Sequence, residues 1–206
     1  KRTEELIRPI LRGRDIRRYS YDWAGQWVIC ARVCEDIPKN YPTVCRYLEQ
    51  FKVPGKLGDN STTKVFQRPW WSWMQEPSYW EDFFKPKIMY SEIVREPQFF
   101  YDTVGQFIPE ATTFILVGEH LEYIYRLVHS TIVTFAFKTY YAGGGLGENG
   151  YRYKKAFFEK LPIPLWSGDN LQKVIVNSPL SKDIENEVAE LFKLSEEELD
   201  FITSNS

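Results

Sequence analysis

The order of short apolar runs most constrains what this chain can fold into. Three runs have the length and composition of β-strands, and they lie at residues 26–32, 85–93 and 111–118. Apolar residues at helical spacing follow over residues 120–141, and residues 181–202 have the pattern of two short acidic helices. Strands that come before helices predict an α+β fold: a small mixed or antiparallel sheet with flanking helices and long loops.

Local signals complete this outline. Asn40, with a proline near the first turn, predicts the start of an amphipathic helix over residues 40–51. Strand-like runs on either side of a turn at residues 102–105 predict a β-hairpin. Ser195 followed by Glu198 predicts a capping box at the start of the last helix.

Positive and negative charges are unevenly distributed along the chain. The net charge is only −2, yet residues 171–206 hold three Lys against eight Asp or Glu, and residues 1–170 therefore carry a net charge of +3. We expect residues 1–170 to form a basic main domain, and residues 171–206 to form an acidic helical tail that packs on it or trails from it.

The stretch IRPILRGRDIRRYS (7–20) places five arginines in fourteen residues. A generic solvated surface would mix in Lys and Glu, whereas guanidinium suits phosphate and the guanine edge. Gly13 permits a turn, and we expect Asp15 to pair with a neighbouring arginine or to cap a helix start. Some of the other arginines would bind phosphate. The alternative is a surface run partly paired with Glu4 and Glu5.

No motif in the sequence predicts catalysis. GLGENG (145–150) matches the dinucleotide-binding pattern, but it follows a helical run and no βαβ unit surrounds it. We interpret it as a loop whose glycines let the backbone approach another group closely. The sequence lacks a PD-(D/E)xK pattern, a P-loop, G-x-S-x-G and N-P-P-Y. His120 and His129 lie in the helical run without metal-ligand spacing, so we expect structural roles for both.

The cluster RPWWSWM (68–74) offers rings that stack on sugars or on bases, or that pack beneath the preceding loop. The four cations of residues 52–69, of which Arg68 opens the cluster, favour phosphate over sugar. A carbohydrate-binding module therefore stays as an alternative function.

Cysteine usage and hydropathy predict a cytoplasmic protein. Cys30, Cys34 and Cys45 are an odd number, which is typical of reduced thiols. No apolar run approaches the roughly 20 residues that span a bilayer. The chain starts KRTEEL, without a methionine or a signal peptide, so we expect it to be a piece of a longer polypeptide.

Several blocks of the sequence stand in the order of a known family. LRGRDIRRY (11–19) is similar to the family's opening motif, and YPTVCRYLEQFK (41–52) to its next helix. KPKIMYSEI (85–93) and FYDTVGQFI (100–108) resemble its central strands. Residues 140–164, with their glycines and a Leu-Pro-Ile-Pro ending, resemble its late loop. The chain thus resembles the TaqI-like C-terminal specificity domain of adenine-specific DNA methyltransferases and type IIG restriction-modification enzymes.

Two features depart from the family pattern. Val128-His129-Ser130 stands where the family often has Leu-Asn-Ser, which leaves any role of that asparagine without a counterpart here. Residues 52–74 also match poorly, as a segment that reads a different DNA sequence would, and as a drifting surface loop would.

The resemblance implies a reader of duplex DNA and no catalysis by this fragment. A methyltransferase domain with its S-adenosylmethionine would lie upstream, and in fused enzymes a Mg²⁺-dependent nuclease further upstream. This domain would grip DNA while the catalytic domain flips out an adenine for N6 methylation, in a bacterial restriction-modification system. One alternative is a scaffold that docks on its catalytic partner. A type I specificity subunit is another, against which the short tail argues.

We expect loops 52–74 and 138–155 to supply base contacts, because loops on a rigid sheet can enter the major groove. The expected DNA contacts are cations and rings of these loops and of the arginine run: Arg12, Arg14, Arg17, Arg18, Lys56, Lys64, Arg68, Trp71, Lys138, Tyr140, Tyr141, Arg152, Tyr153 and Lys154. The sequence does not separate base contacts from phosphate contacts. No catalytic residue and no metal ligand is expected.

Overall fold

The computed structural model describes residues 2–32, 34–52, 69–73, 76–142 and 150–206. Short strands and helices form several sheets of two or three strands with helices around them, so the predicted α+β class is confirmed. In chain order the elements are β1 Ile7–Leu11, β2 Ile16–Arg17, β3 Ser20–Tyr21, β4 Trp27–Ile29, α1 Ile37–Asn40, α2 Pro42–Glu49, β5 Lys87–Ser91, β6 Ile93–Val94, β7 Phe99–Asp102, β8 Ile108–Pro109, β9 Thr113–Leu116, α3 Leu121–Leu127, α4 Thr131–Ala136, β10 Tyr151–Arg152, α5 Lys155–Phe158, α6 Asn170–Asn177, α7 Glu185–Phe192 and α8 Glu196–Ser204.

The chain divides into two compact units. The first unit holds residues 1–10 and 25–81, and the second holds residues 11–24 and 82–206. In the first unit, β1 pairs antiparallel with β4. Leu6, Ile37 and Val44 form the centre of its core.

The predicted strand at 26–32 and the predicted helix at 40–51 are both confirmed, as β4 and α2. The helix begins at Pro42, because Asn40 already ends the preceding short helix α1. A proline in the first turn costs no hydrogen bond, since the N–H groups there have no partner within the helix.

The second unit is built around β5, which lies between β7 and β9 in an antiparallel sheet. Ile88 and Tyr90 face the cluster that includes Leu121 of α3. Met89 lies on the other face, in a cluster with Leu11. Because this central strand is covered on both faces, consecutive residues are buried, and this explains the apolar run Ile88, Met89 and Tyr90.

The predicted hairpin around residues 102–105 is wrong in its pairing. β7 pairs with β5, with Lys87 opposite Asp102 and Tyr90 opposite Phe99. The turn itself exists, and the Asp102 carboxylate accepts the N–H groups of Gln106 and Phe107 at 3.1 and 3.0 Å. It redirects the chain away from β7 instead of folding it back alongside.

The predicted single helix over 120–141 is broken into two helices, α3 and α4, followed by a π-helical turn Phe137–Tyr141. The break lies at Ser130, whose hydroxyl caps α4 by accepting the Val133 N–H at 3.2 Å. The apolar spacing continues across the break, so periodicity alone did not reveal it.

The C-terminal helices α6 and α7 pack through Ile175 and Val188 in one cluster with Tyr123 and Leu127 of α3. Helix α8 packs against this cluster through residues 199 and 202. The predicted acidic helices are confirmed as α7 and α8, and the capping box of Ser195 is present. The domain boundary at residue 170 stays a prediction. None of the helices in the described part of the chain is long and apolar enough to cross a bilayer.

Candidate nucleic-acid interface

The arginine run forms a tight turn in the second unit, which we call the arginine turn (residues 12–18). The chain enters it through the 3-10 helix Gly13–Asp15 and leaves it along β2, which pairs with β3. Leu11 and Ile16 are fully buried. The core of the unit therefore fixes the backbone from which the arginines project.

Arg12 and Asp15 form the ion pair that the sequence predicted. Nε and a terminal nitrogen of Arg12 donate to the two carboxylate oxygens of Asp15, each at 2.7 Å. The Arg12 guanidinium holds the pKa of the Asp15 carboxyl below its usual value, because it hydrogen-bonds the charged form. The same bonds raise the pKa of Arg12. Arg12 thus spends much of its hydrogen-bonding capacity inside the turn.

Arg17 and Arg18 also make contacts within the protein. Arg17 donates to the carbonyl oxygen of Arg14 at 2.7 Å and pairs with Asp22 at 2.9 Å. Arg18 donates to the carbonyl oxygen of His129 at 3.0 Å and lies 5.0 Å from the centre of the Tyr19 ring. Both side chains remain exposed, so their outer N–H groups face solvent.

Arg14 differs from its neighbours. Its side chain is exposed, and its guanidinium makes no hydrogen bond or ion pair with any residue that the structure describes. Of the four arginines in the turn, it is the one whose guanidinium has no hydrogen-bond or ion-pair partner among the described residues.

A second basic segment lies on the short sheet of β6 and β10, where Arg152 stands opposite Ile93. Arg152 is half-buried and has no ion pair within the described residues. Lys154 lies 3.9 Å from Glu92, at the outer limit of an ion pair. Arg95, just after β6, is exposed and likewise unpaired among the described residues.

Tyr153 belongs to the core and not to the surface. It is 3% exposed and stacks on Phe137 with ring centres 4.1 Å apart. Burial raises the pKa of its hydroxyl. In this structure Tyr153 therefore positions Arg152 and Lys154 and is not available for a direct DNA contact.

Gly150 gives one physical reason for the glycines of the late loop. Its φ is +111°, and a Cβ there would lie 2.6 Å from the carbonyl oxygen of Val94. The close backbone approach that the glycines predicted is therefore found at this position, and the group approached is β6 of the chain itself. Residues 143–149 lie outside the described part.

The predicted contacts Lys138, Tyr140 and Tyr141 lie on the π-helical turn. The Lys138 amine is 5.2 Å from the centre of the Tyr151 ring, so it is near β10. Tyr140 is 73% exposed. Tyr141 is half-buried, and both tyrosines line an apolar cavity of about 370 Å³ that α4 and α8 also line.

Trp71 lies in the first unit, where it packs with Trp70 against the core around Ile37. Trp73 donates to the carbonyl oxygen of Ile29 at 3.0 Å. The aromatic cluster thus contributes to packing, as one of its three interpretations held. The predicted contacts Lys56, Lys64 and Arg68 lie outside the described residues.

A polar groove of about 420 Å³ adjoins the arginine turn. Its walls come from the turn, the end of β5, β6 and the residues before β7 and β9: Arg12, Gly13, Arg14, Ser91, Ile93, Val94, Gln98, Glu110 and Thr112. The groove places Arg14 beside Ile93, the residue opposite Arg152. Two basic segments that are 138 residues apart in sequence thus meet around one strand pair.

The sequence model of one protein family, the TaqI-like C-terminal specificity domain, matches residues 8–163 of this chain of 206 residues. The chain belongs to this family. No curated protein matches it. The family is a specificity domain of DNA methyltransferases and has no catalytic role itself, which supports a role in DNA target recognition.

The match to the TaqI-like specificity domain includes the arginine turn, the groove and β10, and it ends before α6 begins. His129 lies within the matched region, at the position where the resemblance led us to expect asparagine. It is 2% exposed, its Nε2 accepts the Phe99 N–H at 3.3 Å, and its Nδ1 donates to the carbonyl oxygen of Tyr125 at 2.9 Å. The predicted structural role is confirmed for this residue.

Sequence reasoning missed two residues of this specificity domain, Gln98 and Arg95. Gln98 lines the groove half-buried, and its amide makes no hydrogen bond with any described residue. Neither residue belongs to a cluster or a motif, so the sequence offered no means of singling them out. Among the described residues no group of three or more His, Cys, Asp or Glu could hold a metal ion.

Proposed function

We propose that this chain is the target-recognition domain of an N6-adenine DNA methyltransferase in a restriction-modification system, with or without a fused endonuclease. The family supports the general role in DNA recognition. The observation that carries the proposal is the position of unpaired cations on supported backbone. Arg14 and Arg152 belong to two separate segments around one strand pair, and neither has an ion-pair partner in the described residues.

Unpaired guanidinium groups on fixed backbone are suited to phosphate. A duplex offers phosphates at regular spacing, and each neutralised phosphate releases condensed counterions, which drives binding at low salt. Cations whose backbone is already ordered lose little further entropy on binding. The arginine turn meets this condition because Leu11 and Ile16 anchor it.

The proposed division of labour assigns chemistry to a methyltransferase domain of the same polypeptide. That domain would bind S-adenosylmethionine and flip the adenine out of the duplex, and a nuclease domain, where present, would bind Mg²⁺. The residues of this chain would set which site the catalytic domain meets. We propose a bacterial, cytoplasmic setting for the whole protein.

The alternatives have less support in the structure. A carbohydrate-binding module that used the cluster at 68–74 would need exposed rings there, whereas Trp70 and Trp71 pack against the core of the first unit. A scaffold that docks its basic face on an acidic catalytic partner uses the same cations as the DNA proposal. DNA binding measured directly separates these two.

The test is fluorescence anisotropy with a labelled random-sequence duplex at several salt concentrations, with a single strand as control. We expect micromolar or weaker binding to the duplex that collapses as salt rises. The double variant Arg152→Ala/Lys154→Ala should reduce the steepness of the log–log salt dependence by about 1.8, since each lost phosphate contact removes about 0.9.

The matched control is Lys160→Ala/Lys173→Ala, which removes the same charge from exposed lysines without an ion pair in the described residues. Its salt dependence should equal that of the wild type. Absence of duplex binding by both the chain and the full-length protein that carries it would contradict the proposal. An equal loss of salt dependence in the two double variants would mean that the effect of Arg152 and Lys154 is only one of total charge.

A further inference from the structure

The groove beside the arginine turn is built on closely packed backbone. A Cβ on Gly13 would lie 2.7 Å from the Ser91 hydroxyl oxygen and 3.0 Å from its Cβ, so the turn contacts the end of β5 as closely as a glycine allows. On the other wall, the Glu110 N–H and the Thr113 hydroxyl donate to the carbonyl oxygen of Leu11 at 3.0 and 3.2 Å. The backbone that carries the side chains of this groove is therefore fixed before any partner binds.

The charges lining the groove are nearly balanced. Asp15 neutralises Arg12, and Glu110 acts on Arg12 as a second negative charge. The Glu110 carboxylate accepts the Thr112 hydroxyl at 2.7 Å. A phosphate would meet this carboxylate as a like charge, so the groove floor is a poor phosphate site. A base edge presents donors and acceptors together and carries no net charge, and it fits such a lining better.

Two groups in the groove are free to pair with bases. The amide of Gln98 offers one acceptor and one donor group, and the described residues satisfy neither. Glutamine pairs in this way with adenine N6 and N7. The free guanidinium of Arg14, at the mouth of the groove, pairs in two-bonded fashion with guanine O6 and N7.

The cations around the groove lie in different surroundings from Gln98 and Arg14, which line it. Arg152 lies on the β6–β10 pair, and Arg95 lies just beyond the end of β6. Both are outside the groove lining, and no acid pairs with either of them in the described part of the chain. Uncompensated positive charge of this kind attracts phosphate and carries no sequence information.

We infer that the groove reads the base edges of the target site, that Gln98 and Arg14 are its specificity-determining residues, and that Arg95 and Arg152 hold the flanking phosphates. This inference rests on the proposed function and deepens it. It moves part of the base reading from the late loop to the junction of the arginine turn with β5 and β6.

The experiment uses the full-length protein that carries this chain. Selection from a random duplex library first yields the duplex that the wild type prefers. The specificity ratio is then the affinity for the selected duplex divided by the affinity for a random duplex. This ratio is measured for Gln98→Ala, Arg14→Ala, Arg152→Ala and the control Gln106→Ala, an exposed glutamine outside the groove.

We expect Gln98→Ala and Arg14→Ala to lower the specificity ratio by about 5-fold to 100-fold each, the range for loss of one two-bonded base contact. Gln98→Ala should leave affinity for the random duplex within about 2-fold, because a neutral amide contributes no counterion release. Arg152→Ala should weaken binding to both duplexes equally and lower the steepness of salt dependence by about 0.9. Gln106→Ala should change neither quantity.

The two proposals fail in different ways. If the wild type binds no duplex at any salt concentration, the proposed function is overturned and this inference with it. If the wild type selects a preferred duplex but Gln98→Ala and Arg14→Ala keep the full specificity ratio, this inference alone is overturned. A loss of ratio in Gln106→Ala equal to that in Gln98→Ala would overturn it as well.

Discussion

Positive charge lies both in the interior of the β5–β7 pair and on the arginine turn, but it is buried and paired in the first and exposed and partly unpaired in the second. Lys87 is fully buried, and its amine donates to Asp102 at 2.6 Å and to the carbonyl oxygen of Phe83 at 2.8 Å. Arg14 is exposed and donates to no described residue. In the sheet the charge is satisfied internally, whereas in the turn one guanidinium is left over.

The difference separates charges that build the fold from charges that await a partner. A buried ammonium group without partners would be far too costly, so Lys87 is tied to the strand opposite it. Burial lowers the pKa of the Lys87 amine, and the Asp102 carboxylate opposes that shift. An exposed arginine costs nothing to leave unpaired, because water solvates it. No hydrogen bond or ion pair among the described residues requires a guanidinium at this position, and this makes Arg14 a candidate for binding DNA.

The largest effect is expected from breaking the buried pair. Lys87→Met should lower the free energy of unfolding by about 3–5 kcal/mol, because it leaves the Asp102 carboxylate buried without its counter-charge. Urea denaturation measures this change. The control is Lys85→Met, whose amine pairs with Asp82 at 2.7 Å on the exposed surface and should contribute about 0–1 kcal/mol. Equal losses in the two variants would contradict the distinction between buried and exposed charge.

His129 is a titratable group that lies behind the arginine turn and sharpens the comparison. Burial first, and the nearby Arg18 and Arg126 after it, lower its pKa to about 3 against the hydrogen bond to Tyr125, which raises it. The folded state therefore keeps the ring neutral, while the unfolded chain takes up a proton near pH 6.5. Below that pH the unfolded state binds the extra proton, so stability falls as pH falls towards 3.

The variant His129→Asn places there the residue that the resemblance led us to expect. Asparagine does not titrate, so this variant removes the difference in bound protons between the unfolded and folded states. Urea denaturation between pH 7 and 5 should show the wild type losing up to about 1.4 kcal/mol more per pH unit below pH 6.5 than the variant. The readout is the slope against pH, which a simple packing defect would leave unchanged. Parallel stability profiles for the two proteins would show that His129 takes up a proton as readily in the folded state as in the unfolded chain.

Much of the fold was predictable because its signals are local. The spacing of Val44 and Leu48 predicted α2, and Ser195 with Glu198 predicted the cap of α8. The pairing of β7 with β5 was not predictable from the turn at 102–105, since pairing depends on which strands the core brings together. The break at Ser130 was hidden because apolar residues of both helices, on either side of it, contribute to one cluster.

The site was predictable in composition and not in detail. The run of arginines predicted a surplus of guanidinium groups, and Asp15 predicted an ion pair with one of them. Which arginine remained free depended on contacts with residues distant in sequence, such as the carbonyl oxygen of His129 that engages Arg18. Gln98 gave no sequence signal, because an isolated glutamine becomes notable only when a groove leaves its amide without a partner.

The smallest effect separates two arginines of the same turn. Arg14→Ala should change the free energy of unfolding by no more than about 0.5 kcal/mol, because its exposed guanidinium makes no hydrogen bond or ion pair with a described residue. Arg12→Ala should destabilise the protein more, because it removes both hydrogen bonds from Asp15, a carboxylate that is 8% exposed. The difference should shrink as pH falls through the lowered pKa of Asp15, since protonation removes the charge that Arg12 balances. Urea midpoints of the two variants at pH 7 and at pH 3 measure it. A larger loss for Arg14→Ala than for Arg12→Ala would mean that Arg14 supports the fold, and the argument that its charge is reserved for DNA would fail.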